Sequence, residues 1–287
     1  MALNLQTFKT RAITAIIFAA VMLGGLLWNQ WSFLLLFSVI HFGCWAEYQK
    51  LVTLIDPEYR HINVGHRYGV MLLGWGFMLW MTNTDYRIGN YLVAALGWQL
   101  MWIGAVIFLL TVVIAPKFNH PKLLAHSLLG LLYISLSWGL MMHLWNNMGQ
   151  SVLTGQPWLL PVVLIASIWI NDTMAYIVGS FIGKTPFSSI SPKKTWEGTI
   201  GGALLAVALV TLAGHYIWAF PLKTLLLVSS IAAVFGTAGD LFESKLKRLA
   251  GVKDSGNIMP GHGGFLDRFD SLLFATTITW LVLRLVS

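Results

Sequence analysis

The chain has 287 residues, 57% of them hydrophobic and only 10% charged, against about 25% charged in an ordinary soluble domain, which argues against a water-soluble globule. Its mean hydropathy is +0.72, and with 14 Trp and 16 Phe it carries far more apolar surface than a disordered chain leaves in water. The 18 Lys and Arg against 11 Asp and Glu give a net charge of +7, which in a membrane protein points first to cytoplasmic loops beside an anionic leaflet rather than to nucleic acid.

Nine apolar stretches follow one another, at about 12–28, 31–46, 68–82, 91–115, 123–145, 158–182, 199–220, 222–239 and 271–286. Some are shorter than the roughly 17–25 residues of a transmembrane helix, so their helices are expected to run into the flanks or end in water-filled clefts. Fused into one helix, residues 12–46 would be ~52 Å long, far beyond a hydrocarbon core, and a break is expected at Asn29-Gln30. A cleavable signal peptide is the competing reading of the N-terminus, since Lys9 and Arg11 precede an apolar run. Trp28-Asn29-Gln30-Trp31 offers no small-residue cleavage site, which favours an uncleaved first span. Cys44, the single cysteine, lies in an apolar run and can form no intramolecular disulfide.

With the N-terminus in the cytoplasm, 15 of the 18 basic residues fall on the cytoplasmic side and only Arg87, Lys223 and Arg284 outside, as the positive-inside rule requires. Loops 183–198 and 240–270 then both face the cytoplasm. Tryptophans near span ends, such as Trp28, Trp80 and Trp158, fit an interfacial belt. The expected fold class is an all-α, polytopic integral membrane protein. Residues 1–150 form a bundle of about five helices, and 151–287 a region of about four. No internal repeat or low-complexity segment is evident.

Seven of the eleven acids lie between Asp172 and Asp270, in three clusters. Asn171-Asp172-Thr173, with Tyr176, falls inside the sixth stretch, where a charged residue costs about 2.5–3.5 kcal/mol to insert. Asp172 is therefore expected to line a polar cleft, the alternative being an interhelical anchor. Ser191-Pro192 reads as a helix N-cap with proline in the first position. A helix N-terminus beside Lys193 and Lys194 would bind an anion; the alternative is a pair of ordinary topology lysines.

In the third cluster, a continued eighth helix would set Asp240, Glu243, Ser244 and Lys247 on one face. Asp267 and Asp270 would share a face at the start of the ninth. Between them runs a glycine-rich segment, Pro260-Gly261-His262-Gly263-Gly264, that lets a ligand approach the backbone. Hard oxygen ligands without thiolates suit Mg²⁺, which takes one or two carboxylates plus substrate phosphates. Adjacent lysines and arginines suit phosphate. This set of groups points to phosphoryl or nucleotidyl transfer; neither a nucleophile elbow nor a Walker A loop is present. His41, His126, His143 and His215 are scattered through the spans and read as packing or interfacial residues.

Ser244, Lys247, Arg248, Lys253, Asp254, Pro260–Gly264, Asp267, Arg268 and Asp270 together form the pattern Ser-x2-Lys-Arg-x4-Lys-Asp followed by Pro-Gly-His-Gly-Gly-x2-Asp-Arg-x-Asp. In this the chain resembles the CDP-diacylglycerol synthases (phosphatidate cytidylyltransferases) of bacterial type. Asn171-Asp172 and Ser191–Gly198 also look like segments of that family.

The resemblance implies transfer of the cytidylyl group of CTP to phosphatidate, giving CDP-diacylglycerol and pyrophosphate for phospholipid synthesis in a bacterial inner membrane. It implies Mg²⁺, with a second cation left open, at Asp240 and Asp267 with Glu243 beside them. Asp240, Asp267, Asp270, Lys247, Arg248 and His262 would carry the chemistry. Ser191, Lys193, Lys194, Lys253, Arg268, Gly263, Gly264 and Asp172 would hold nucleotide and phosphate, and the first five spans would form a lipid cavity. CTP, phosphatidate and the bilayer are the partners, with no nucleic acid and a homodimer left open. A secondary transporter with an intramembrane acidic site is the alternative. A CDP-alcohol phosphotransferase would need an Asp-Gly-x2-Ala-Arg pattern that the chain lacks.

Overall fold

The computed structural model describes residues 5–114, 121–145, 156–258 and 263–286, the first seven of them by backbone alone. Lys117 and the 150/151 boundary lie outside the described residues, as do the side chains of Lys9 and Arg11. Among the described residues the chain folds into nine main helices that match the nine apolar stretches in order: α1 Leu5–Leu27, α2 Gln30–Ile55, α3 Val64–Trp80, α4 Val93–Ile114, α5 Pro121–His143, α6 Leu159–Ile182, α7 Trp196–Trp218, α8 Leu222–Leu249 and α9 Leu266–Val286. Six of them, α4 to α9, are long and apolar enough to cross a membrane. Their exposed faces carry Leu, Ile, Val and Trp. The chain is an all-α integral membrane protein.

The boundaries have local causes. α1 and α2 are separate because Asn29 caps α2, its Oδ1 accepting from the Trp31 and Ser32 amides at 2.8 and 2.9 Å while Ser32 Oγ accepts from the Asn29 amide at 3.1 Å. α2 does not stop where its apolar run ends at residue 46 but continues to Ile55. Asn63 caps α3 through the Gly65 amide at 2.7 Å. A small antiparallel hairpin, β1 Arg87–Ile88 and β2 Tyr91–Leu92, joins α3 to α4. α8 likewise outruns its apolar stretch, which puts Asp240, Glu243, Ser244 and Lys247 on a helix as expected. It ends in a Schellman turn: Gly251 takes φ +70°, its amide donates to Arg248 O at 3.1 Å and the Val252 amide to Lys247 O at 3.0 Å.

The beginning of α7 differs from the expectation. Its N-cap is Thr195, whose hydroxyl accepts from the Gly198 amide at 3.2 Å; Ser191-Pro192 instead opens a turn closed by the Lys194 amide on Ser191 O at 3.1 Å. Residues 185–196 double back on themselves, with the Phe187 amide on Lys194 O at 2.8 Å and the Trp196 amide on Thr185 O at 3.0 Å. Glu197, in the first turn of α7, accepts from Thr185 Oγ1 at 2.7 Å and from the Lys184 and Thr185 amides. That pairing pulls the loop back over the helix start and leaves no room for a helix to begin at Pro192.

Lipid tails are as apolar as leucine, so helix association in a bilayer rests on close packing rather than on escape from water. α3 and α4 meet through Gly76 and Gly104, where a Cβ would strike the Met101 and Leu73 backbones. α6 packs on α7 and α8 on α9, while α9 also meets α5 and α2. An aromatic seam joins these last three helices, with ring centroids 5.2 Å apart for Phe37 and Trp138 and 5.8 Å for Trp138 and Phe269. α5 carries a π turn at Leu131–Ser135 that offers Ser135 Oγ to His41 Nε2 at 3.1 Å and to Trp45 Nε1 at 2.9 Å. His143 Nδ1 accepts from Trp280 Nε1 at 3.0 Å, and the His215 ring meets Phe220 O at 3.0 Å. His41 is buried and His143 half-buried among packed helices, whereas His215 is exposed at the end of α7.

Candidate active site

α6 supplies one wall of a cleft through Asn171, Asp172, Ala175, Tyr176, Gly179 and Ser180, a stripe at helical spacing. The doubled-back loop contributes Ser191, Lys193 and Lys194, α8 contributes Thr237 and Asp240, and the first turns of α9 contribute Asp267, Arg268, Asp270 and Ser271. The space enclosed is about 530 Å³. Four segments separated by up to about a hundred residues thus bring together most of the charged groups singled out in the sequence. Asp172 lines this cleft, as its position in an apolar helix requires.

Opposite charges are arranged in pairs. Lys194 forms an ion pair with Asp240. Lys247 lies between Glu243 and Asp267, reaching Asp267 Oδ1 at 2.6 Å. Glu243 is fully buried and does not line the cleft. Its carboxylate faces Lys247, which makes it the buried counter-charge of that lysine. Arg248 is exposed, donates from Nη1 to Val252 O at 3.2 Å and closes the end of α8 away from the cleft. Lys253, also exposed, does not line it either. The cations that face the cleft are therefore Lys193, Lys194 and Arg268. His262, with Pro260 and Gly261, lies outside the described residues.

The glycine-rich segment is held by two carboxylates. Asp267 Oδ2 accepts from the Ser255 amide at 2.8 Å, Ser255 Oγ at 2.9 Å and the Gly264 amide at 2.8 Å. Gly263 takes φ +80°, and a Cβ there would strike Asp267, so only glycine lets the chain turn so close to that carboxylate. The second carboxylate is Glu47, near the end of α2. It accepts from the Phe265 and Leu266 amides, both at 2.9 Å, and from Ser255 Oγ at 2.7 Å. A buried acid from the N-terminal half thus satisfies free amides where α9 begins, as an N-cap would, and its charge lies at the positive end of the helix dipole. Glu47 is thus a contribution of the N-terminal half to the site that none of the three acidic clusters in the sequence contains. A lone acid ending an apolar run, Trp45-Ala46-Glu47, was its only trace in the sequence.

Asp172, Asp240, Asp267 and Asp270 bring four carboxylates into a cleft that Lys193, Lys194 and Arg268 face. Asp270 is nearly buried; its Oδ1 accepts from the Ser271 amide at 2.6 Å, and among the described residues it has no basic partner. Among the described residues no three His, Cys or acidic side chains already form a metal cluster. The donor set is nonetheless all hard oxygen and has negative charge to spare. That fits a cation such as Mg²⁺, which takes one or two carboxylates and completes its shell with substrate phosphate and water.

The model of the Cytidylyltransferase family matches residues 9–286, nearly the whole chain. The chain belongs to that family. It is 48% identical over 123 residues to a phosphatidate cytidylyltransferase of Bacillus subtilis, a stretch covering 42% of this chain and 45% of the relative. It is 33% identical over 215 residues to a phosphatidate cytidylyltransferase of Helicobacter pylori, covering 72% of this chain and 76% of the relative. With the chloroplastic phosphatidate cytidylyltransferase 4 of Arabidopsis thaliana it shares 43% over 128 residues, 43% of this chain and 32% of the relative. The matched stretch thus spans under half of the Bacillus and Arabidopsis relatives and about three quarters of the Helicobacter one. None of the three is a transporter by name.

Proposed function

We propose that this cytidylyltransferase-family chain transfers the cytidylyl group of CTP to phosphatidate. A phosphate oxygen of phosphatidate forms a bond to the α-phosphorus of CTP, the bond from that phosphorus to the bridging oxygen breaks, and pyrophosphate leaves. The observation that carries the reading is the cleft in which Lys193, Lys194 and Arg268 meet Asp240, Asp267 and Asp270, at the ends of apolar helices. Both reactants bear several phosphate charges, so the cations' work is to bring like charges together and hold the charge that builds on the leaving pyrophosphate. Phosphatidate is already a phosphate monoester, and a strong general base is not required.

A second hollow of about 410 Å³ supports a lipid route. It shares Asp172 and Arg268 with the main cleft and is otherwise lined by Thr14, Ala15 and Phe18 of α1 with Trp169 and Thr173 of α6. A lipid phosphate at Arg268 would leave its acyl chains along the apolar faces of α1 and α6. Among the first five helices only α1 lines either hollow, so this reading narrows the lipid cavity to that helix. Asp240 and Asp267 are the residues that would hold Mg²⁺, with Asp270 beside them. Bound there, the cation would neutralise phosphate charge and help orient the two reactants. Purified protein in detergent with CTP, phosphatidate and Mg²⁺ should release pyrophosphate in a phosphatidate-dependent way; CTP hydrolysis without lipid dependence would overturn the assignment.

Lys193→Ala is expected to raise the CTP or phosphatidate concentration needed for half-maximal rate by about 10- to 150-fold, the loss of one charged hydrogen bond. Lys194→Ala should do the same and, by unpairing Asp240, lower the maximal rate as well. Unchanged substrate dependence in both variants would reduce these lysines to topology signals.

The site is proposed to lie on the cytoplasmic side of a bacterial inner membrane with the N-terminus inside, which the asymmetry of the basic residues supports. Ser255 is buried and bonded to two carboxylates, whereas Lys253 is exposed, which makes the latter the better reporter. In a Cys44→Ser background, Lys253→Cys is expected to resist an impermeant thiol reagent in intact cells and to react in inverted vesicles; labelling in intact cells would reverse the topology.

A further inference from the structure

The last turns of α2 carry two different faces. Glu47 reaches the glycine-rich loop before α9, while on another face of the helix Gln49 and Lys50 line a separate cleft of about 510 Å³ between α2, the 3₁₀ turn Pro57–His61 and the start of α3. Three cations line it, Lys50, Arg60 and Arg67, and among the described residues no acid does. Its other walls include Leu54, Tyr68 and Met71. Gln49 Nε2 donates to Arg67 O at 3.0 Å, which ties the two helices together across the floor. Arg67 Nε is buried without a hydrogen-bond partner among the described residues. A buried guanidinium nitrogen left unpaired is costly, and three uncompensated cations in one cleft repel each other.

We propose that this cleft binds the phosphate headgroup of an anionic phospholipid, at the same end of the bundle as the glycine-rich loop and separate from the reacting lipid. One phosphate would balance the cations and offer an acceptor to Arg67. The exposed apolar walls at Leu54 and Tyr68 would receive the glycerol and first acyl carbons. A free phosphate or nucleotide matches the charge but leaves those walls wet, which is why a lipid is the occupant.

The test follows lipid retention on the full-length, delipidated protein by native mass spectrometry, with phosphatidylglycerol and phosphatidylcholine as probes. Wild type should retain phosphatidylglycerol in preference to phosphatidylcholine. Lys50→Gln with Arg60→Gln should weaken that retention roughly 30-fold, at the scale expected for two basic residues beside an anionic lipid. Both side chains are exposed, so the double variant keeps its fold. Arg67→Gln should weaken it too, whereas Lys223→Gln, at the other end of α8, should not. Equal retention by the double variant, or an equal loss in Lys223→Gln, would overturn the site. Displacement of the lipid by millimolar inorganic phosphate would overturn its assignment to a lipid. Since turnover is not the readout, a negative result here leaves the cytidylyl-transfer reading standing, and absence of transfer activity leaves this site standing.

Discussion

Asp267→Asn is expected to give a folded, membrane-inserted protein whose turnover is lower by at least ~10³. The geometry explains why fold and activity separate. Asp267 uses its two oxygens differently: Oδ2 takes the Ser255 and Gly264 donors, and Oδ1 faces Lys247 at 2.6 Å. In asparagine the carbonyl oxygen can stay at the Oδ2 position and keep the loop in place. The amide then points its hydrogens at the lysine, so the ion pair is lost and with it the negative charge that a cation would need. Asp240→Asn should behave similarly, because it strips the counter-charge from Lys194 at the other side of the same cleft. If these aspartates were only fold-stabilising, activity per folded molecule would stay near wild type while melting temperature fell. Specific activity, measured as phosphatidate-dependent pyrophosphate release, is therefore to be followed together with thermal stability. A well-folded, fully active Asp267→Asn protein would remove the metal role from that residue.

Much of this site is legible in the sequence because Asp240 to Lys247 and Asp267 to Asp270 stand on helices. Spacing of i, i+3, i+4 and i+7 from Asp240 to Lys247 specifies a face once the helix continues, and α8 does continue to Leu249. The same logic put Asp172 in a polar cleft: an acid in an apolar helix needs one. Spacing along α8 does not reveal what each member of that face meets. Glu243 and Asp240 share it, yet Glu243 is sealed behind Lys247 while Asp240 opens to the cleft, a difference set by how α9 packs across α8. Gly239 illustrates that closeness, since a Cβ there would strike the Asp270 backbone.

Local cap signals misled where a tertiary contact competed with them. Ser191-Pro192 has the composition of a helix start, but Glu197 binds Lys184 and Thr185 and draws the loop back, so the helix begins four residues later at Trp196. Glu47 was invisible for a related reason. Hydropathy ends α2 at residue 46, whereas the helix runs on to Ile55, and the carboxylate's partners lie more than 200 residues away. No single-sequence period encodes such a contact. Burial of an acid shows in three dimensions as satisfied amides and in one dimension only as an isolated charge.

Glu47→Gln tests whether that long-range contact shapes catalysis. Glu47 Oε1 accepts from the Phe265 amide, and Oε2 from the Leu266 amide and Ser255 Oγ. Glutamine has one acceptor oxygen, so whichever way the side chain flips, its NH₂ group meets a backbone N–H that has nowhere else to donate. At least one charged hydrogen bond is lost, about 1.5–3 kcal/mol, and the negative charge at the start of α9 goes with it. The loop that orients Asp267 should loosen, lowering turnover by about 10²-fold, with a smaller change in the CTP concentration needed for half-maximal rate because Lys193 and Lys194 sit on a different loop. Ser255 supplies the control for a positioning role. Its hydroxyl has one proton and two carboxylate neighbours, Glu47 at 2.7 Å and Asp267 at 2.9 Å, so it links the residues rather than serving either alone. Ser255→Ala is expected to cost less than Glu47→Gln, and the double variant should cost less than the two losses combined, by about 0.5–3 kcal/mol in a double-mutant cycle on turnover. Additive losses would mean that Glu47 acts independently of the Ser255–Asp267 contact, and a Glu47→Gln protein with wild-type turnover would mean that α2 holds the loop without influencing the chemistry.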